Sequence, residues 1–138
     1  YLRLDKNEHE TTKLKKMTLY PGKIIKLANG NKKKILLTTG SVQILAKKIR
    51  SKKFKNHSLY SMPIWGMKAK NTARNIIKKF DEIITVEDHF YDGGFGSWLK
   101  ECINNTNIKT IINSKSIDSN VLNEVGSKEY LLSKFGPK

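Results

Sequence analysis

The chain has 138 residues, 38% of them hydrophobic, with nine glycines and three prolines, which is one domain's worth of ordinary globular composition rather than a disordered one. No apolar run approaches the roughly 20 residues needed to span a bilayer, and Tyr1 to Glu10 carry charges throughout, without an apolar core of signal-peptide type. The formal net charge of +15 raises nucleic acid or an anionic membrane as a partner. Three features argue against a dedicated binder: three of the 27 basic residues are arginine, the lysines are scattered along the chain, and no aromatic residue interleaves with Lys32-Lys33-Lys34.

In chain order, the first element is Lys23 to Leu27, a short apolar run between Pro21-Gly22 and Asn29-Gly30-Asn31. The Asn-Gly step predicts a hairpin, with this run antiparallel to the one that follows. That next run, Ile35 to Thr39, is continuous and apolar, the signature of a strand buried on both faces. After Gly40, Ser41 offers a helix N-cap, and Val42, Leu45, Ala46 and Ile49 repeat at helical spacing. Ser58 to Met62 predicts a second core strand, ended by Pro63. Ala69 to Phe80 predicts a helix with Ala73, Ile76, Ile77 and Phe80 on one face. Glu82 to Glu87 is the clearest strand. The glycine-rich turn Asp92 to Gly96 leads into a helix from Ser97 to about Asn104. Lys109 to Ile112 is a fourth short strand of the core, and Leu131, Leu132 and Phe135 mark a terminal helix closed by Gly136-Pro137. Strands alternating with helices predict a three-layer α/β/α domain, its sheet mostly parallel with one antiparallel edge strand.

The densest segment is Ile84 to Glu101, ITVEDHFYDGGFGSWLKE. A buried strand delivers Glu87, Asp88 and His89 at its carboxyl end, where open α/β sheets place functional groups. They read as an acid/base cluster or as a charged edge or interface constellation; no nucleophile accompanies them, which favours the second. Gly93, Gly94 and Gly96 suit a tight strand-to-helix turn or an anion cradle at the helix start. The pattern is neither a dinucleotide fingerprint nor a P-loop. His9, His57 and His89 lack metal-ligand spacing, and the single cysteine, Cys102, leaves no zinc set. Cys102 reads as core, and one cysteine fits a reducing, cytoplasmic setting. Trp65 and Trp98, both beside loops, read equally as core or as interface.

VEDHFYDGGFGSWLKE resembles the "V-E-[ED]-H, then G-G-x-G-S" segment of transketolase-type carboxy-terminal domains, a group that includes transketolases, deoxyxylulose-phosphate synthases and 2-oxo-acid dehydrogenase beta subunits. ILLTTGSVQILA is similar to the family's strand, Thr-Gly-Ser and helix, and SKEYLLSKFG to its terminal "E-x-L-L-x-x-[YF]-G". YLRLDKNE resembles the end of the preceding pyrimidine-binding domain, so the resemblance implies that residues 1–12 belong to that domain or to a linker and 13–138 to the carboxy-terminal domain. It implies a five-stranded mixed sheet with one antiparallel strand. It also implies thiamine diphosphate and magnesium held between two other domains, since neither the metal motif nor the activating glutamate occurs here. No catalytic residue and no metal ligand is therefore expected in this chain, and none of its residues is expected to bind the cofactor.

The resemblance further implies a structural and assembly role in an enzyme transferring a two-carbon ketol unit between sugars, working as a homodimer with the remaining domains or a separate amino-terminal subunit. A substrate-phosphate contact would fall on Lys6, with Arg3 just before it; lysine there replaces the family's arginine and loses its bidentate fork. Glu87, Asp88, His89, Phe95 and Trp98 would face a subunit or domain contact, with Phe95 and Trp98 near the surface, while Gly93, Gly94 and Gly96 shape the turn. Met62-Pro63-Ile64-Trp65-Gly66-Met67 departs from the family's "K-P-[LI]-D" turn. A 2-oxo-acid dehydrogenase beta subunit or a synthase relative is the alternative within the class. A freestanding basic binding module is the alternative outside it. Without an initiator methionine, the chain is expected to begin inside a longer protein or to have been trimmed.

Overall fold

The computed structural model describes residues 17–138; Arg3, Lys6 and the segment 1–12 lie outside the described residues. Five strands form one mixed sheet: β1 (Ile25–Ala28), β2 (Asn31–Thr38), β3 (His57–Ser61), β4 (Glu82–Val86) and β5 (Ile111–Lys115). Their spatial order is β1-β3-β2-β4-β5. The pairs among β3, β2, β4 and β5 are parallel, and β1 runs antiparallel to β3 at one edge. Four helices accompany the sheet: α1 (Gln43–Lys53), α2 (Lys70–Ile77), α3 (Phe95–Ile103) and α4 (Lys128–Phe135). Short 3-10 turns precede α1, α2 and α4 at Gly40–Val42, Met67–Ala69 and Ser119–Asn123. Among the described residues, no helix is long and apolar enough to cross a membrane.

Alternation along the central strands sorts the core into two layers, because successive side chains point to opposite faces. Leu36, Leu59, Ile84 and Val86 pack with Val42, Ala46 and Ile49 of the α1 segment. Ile35, Leu37, Ile83 and Ile112 pack with Ala73 and Ile77 of α2 and with Phe95, Trp98, Leu99 and Cys102 of α3. The predicted three-layer architecture and its single antiparallel edge are therefore present. Thr38, Thr39 and Thr110, all buried, satisfy their hydroxyls on backbone: Thr38 donates to the Val86 carbonyl, Thr39 to that of Met62, and Thr110 to those of Ile77 and Phe80. Such bonds remove the penalty of burying a hydroxyl and tie adjacent strand ends together.

Two local expectations are corrected. The Asn29-Gly30 step does not close a hairpin, because β3 lies between β1 and β2. The backbone of β3 is paired on both edges, by β1 on one side and β2 on the other. Asn31 N–H donates to the Asn56 carbonyl at 2.6 Å, and the Ser58 hydroxyl donates to the Asn31 carbonyl at 2.9 Å. Gly30 serves close approach, since a Cβ there would stand 2.5 Å from the His57 carbonyl carbon. Ser41 also does not cap α1. The helix enters through a 3-10 turn with no side-chain cap, and the Ser41 hydroxyl instead donates to Asp88 Oδ2 at 3.3 Å.

Candidate functional site: the carboxyl edge of strand β4

Strand β4 carries its isoleucines, Thr85 and Val86 into the core and hands the chain on to Glu87, Asp88 and His89. By the two-residue period, Ile83, Thr85 and Glu87 share the face that α3 covers. The register pairs Ile83 with Ile112 and Thr85 with Ser114 of β5. The apolar α3 face thus turns polar at its carboxyl end, where Thr85, Ser114 and Glu87 meet the start of the helix.

Glu87 is fully buried. Its carboxylate accepts the Phe95 N–H on Oε2 at 2.5 Å and the Gly96 N–H on Oε1 at 3.0 Å. Thr85 Oγ1 lies 3.4 Å from Oε1. The first amides of a helix have no partner inside it and sit at its positive end. A carboxylate from the neighbouring strand therefore caps α3, whose own flanking residue, Gly94, has no side chain to do so. Burial pushes the Glu87 carboxyl above the ordinary carboxylate range, against the two amides, the nearby His89 and the Thr85 hydroxyl.

The three turn glycines answer to two different requirements. Gly93 has φ +69°, a left-handed conformation that a Cβ disfavours. Gly94 and Gly96 have ordinary φ and serve close approach instead. A Cβ on Gly94 would lie 2.3 Å from the Phe90 carbonyl oxygen and 2.5 Å from Glu87 Oε2. One on Gly96 would lie 2.0 Å from Ser114 Oγ and 2.7 Å from both Glu87 Oε1 and Thr85 Oγ1. The cradle at this helix start is filled by the protein's own carboxylate.

Asp88 and His89 remain at the surface. His89 is half-exposed, with Nδ1 3.9 Å from Glu87 Oε2 and Nε2 3.8 Å from Asp88 Oδ1. The exposed Phe90 and Tyr91 follow. A hollow of about 360 Å³ opens here, bounded by Trp65, Asp88, His89, Phe90, Ile117 and Val121. Behind it Trp65, Phe95 and Trp98 form an aromatic group with ring centroids 5.3 to 6.0 Å apart. The expectation that Phe95 and Trp98 lie near the surface is corrected: Phe95 is fully buried and Trp98 only 7% exposed, because α3 turns both onto the α2–α3 core.

The arrangement places the carboxylates of Glu87 and Asp88 on either side of the His89 imidazole, at 3.9 and 3.8 Å. Cys102 is buried, and desolvation raises its thiol pKa, the opposite of what an attacking thiolate needs. Among the described residues, no three His, Cys, Asp or Glu side chains come together in a way that could hold a metal ion. Sequence reasoning missed the carboxylate cap and the Ser41–Asp88 link. The alternation Ile83, Thr85, Glu87 carried a signal for the first; nothing local signalled the second.

No protein-family model matches the sequence, and no curated protein does. The fold is that of a transketolase carboxy-terminal-like domain. A solved structure described as "Split gene transketolase, inactive beta4 tetramer" superposes with a TM-score of 0.63 over 88% of this chain, at 18% identity. The match spans 40% of that chain's length.

Proposed function

We propose that this chain is the carboxy-terminal structural and assembly domain of a transketolase-type enzyme that transfers a two-carbon ketol unit between sugars, and that it performs no chemistry alone. The observation that supports the reading best is the engagement of Glu87. The most deeply placed acid of the β4 edge caps α3, so it organises the turn and is not free to act on a substrate. In this reading Glu87, Phe95, Trp98 and the three glycines give the turn its shape. The half-buried Asp88 and the exposed His89, with Phe90 and Tyr91, meet a neighbouring domain or subunit. Lys6 and Arg3 would stand beside a substrate phosphate held mainly by the pyrimidine-binding domain.

Thiamine diphosphate and magnesium would be held by those other domains, in the same polypeptide or in a separate amino-terminal subunit, and the complete enzyme would be a cytoplasmic homodimer. Titration calorimetry of the chain with thiamine diphosphate and magnesium tests the first half of the proposal. No binding is expected, and micromolar binding would overturn it. A panel of 2-oxo acids and sugar phosphates offered to the complete enzyme distinguishes ketol transfer from dehydrogenase or synthase chemistry.

A further inference from the structure

In a parallel sheet, strand starts and the carboxyl ends of the preceding helices lie along the same edge. This topology gathers lysines that are scattered in the sequence. Lys32, Lys33 and Lys34 open β2; Lys52, Lys53 and Lys55 connect α1 to β3. Lys78 and Lys79 follow α2 and precede β4, and Lys109 precedes β5. All nine are exposed. Hydrogen bonds show that these segments adjoin: Asn31 N–H reaches the Asn56 carbonyl, Asp81 N–H the Lys33 carbonyl, and Ile111 N–H the Asp81 carbonyl. Lys33 Nζ donates to the Lys79 carbonyl at 3.1 Å. Two acids share the edge, Asp81 and Glu82, and Glu82 already faces Lys34 and His57, each at 3.5 Å.

We propose that this edge is a docking surface for the phosphate backbone of nucleic acid, read without regard to base sequence. Lysine serves phosphate as a point charge, and the bidentate arginine fork that would add geometric recognition of phosphates or bases is not offered at this edge. The arginine at this edge, Arg50, turns its guanidinium inward onto the carbonyls of His57, Asn29 and Lys55. A membrane partner would call for apolar side chains to insert among the lysines. Among the described residues, Ile111 is the exposed large apolar side chain here. Base stacking is also unsupported, since Phe54 is half-buried and packs edge-on against His57. Charge alone is left to do the binding.

The row crosses four strand starts, roughly 15 Å at the usual inter-strand spacing. A duplex presents about nine phosphates over that length, about half of them on the facing side. The expected slope of log affinity against log salt is therefore about −4. The test is fluorescence anisotropy of a labelled duplex of about 20 base pairs across a salt series. Two quadruple variants are compared with the unmodified protein: Lys32→Gln, Lys55→Gln, Lys78→Gln and Lys109→Gln at the edge, against Lys26→Gln, Lys68→Gln, Lys100→Gln and Lys115→Gln elsewhere. Both remove four charges. The edge set should lower affinity at least about tenfold and flatten the slope by about 3, and the other set should lower affinity about twofold with little change of slope.

Equal losses in both sets would overturn the proposal, as would a slope near zero for the unmodified protein, whatever the variants' folding. Phosphatidylserine-rich vesicles and polyglutamate serve as further arms. Edge-dependent capture by either, with no duplex binding, would also overturn it.

Discussion

Gly96 and Glu87 share one small volume: the Gly96 amide donates to Oε1 at 3.0 Å, and a Cβ on the same residue would stand 2.7 Å from that oxygen. The glycine lets the helix start settle onto the carboxylate that caps it. Gly96→Ala should therefore destabilise the protein by about 2 kcal/mol through overpacking, lowering Tm by roughly 4 to 8 °C. Ser114→Gly in the same chain should restore part of that loss, because the tightest clash is with Ser114 Oγ at 2.0 Å. Thermal unfolding of the single and double variants measures both effects.

Glu87→Gln replaces one accepting oxygen by an amide that donates, so one of the two helix amides loses its partner. The expected cost at neutral pH is about 1–3 kcal/mol. The pH dependence follows from the raised pKa of the buried carboxyl. A raised carboxylate pKa means that the folded state holds its proton more tightly than the unfolded chain. Glu87 thus makes stability fall as pH rises from the ordinary carboxylate value to the shifted one. His89 and Asp88 lie alongside. Urea denaturation across this interval should show that component in the parent protein and lose it in the variant.

Gly93 and Gly94 should respond differently to the same methyl group. Gly93 has open space around its Cβ position and a φ of +69°, so Gly93→Ala should cost about 1 kcal/mol of backbone strain. Gly94→Ala meets the Phe90 carbonyl and the Glu87 carboxylate and should cost more than about 2 kcal/mol. Equal Tm losses in the two variants would contradict this division of roles.

Cys102 should be inert in the native protein. It is fully buried on α3 with its thiol pKa raised by desolvation. Its reaction with an aromatic disulfide reagent should be at least about a hundredfold slower than in denaturant. Fast native labelling would mean that the α2–α3 layer opens readily.

Much of this fold is legible from periodicity. ITV of β4 and ILLT of β2 are continuous apolar runs, and both are strands buried on both faces. Ala73 and Ile77 of α2 and Ala46 and Ile49 of α1 fall on core faces at helical spacing, as expected. What periodicity does not carry is long-range competition. Asn29-Gly30 has hairpin chemistry, yet β3 takes the position between β1 and β2, where its backbone is paired on both edges. Ser41 has capping chemistry, yet its hydroxyl turns to Asp88, 47 residues away in sequence. Glu87 was visible as a notable acid, but its use depends on amides eight and nine residues further on. Phe95 lies in the core rather than at the surface, its ring packed against Trp65 from a separate segment, a contact that no local pattern carries.

In the proposed division of labour, this domain supplies shape and assembly while others supply the chemistry. The most direct test of that division is ketol-transfer turnover after mixing the purified chain with a polypeptide that carries the cofactor-binding and pyrimidine-binding domains, with thiamine diphosphate and magnesium present. No turnover is expected from the chain alone, and turnover is expected from the mixture. Gly96→Ala should weaken association while leaving the turnover of assembled enzyme unchanged. Turnover by the chain alone, or a Gly96→Ala enzyme that assembles fully but has lost its chemistry, would contradict that division.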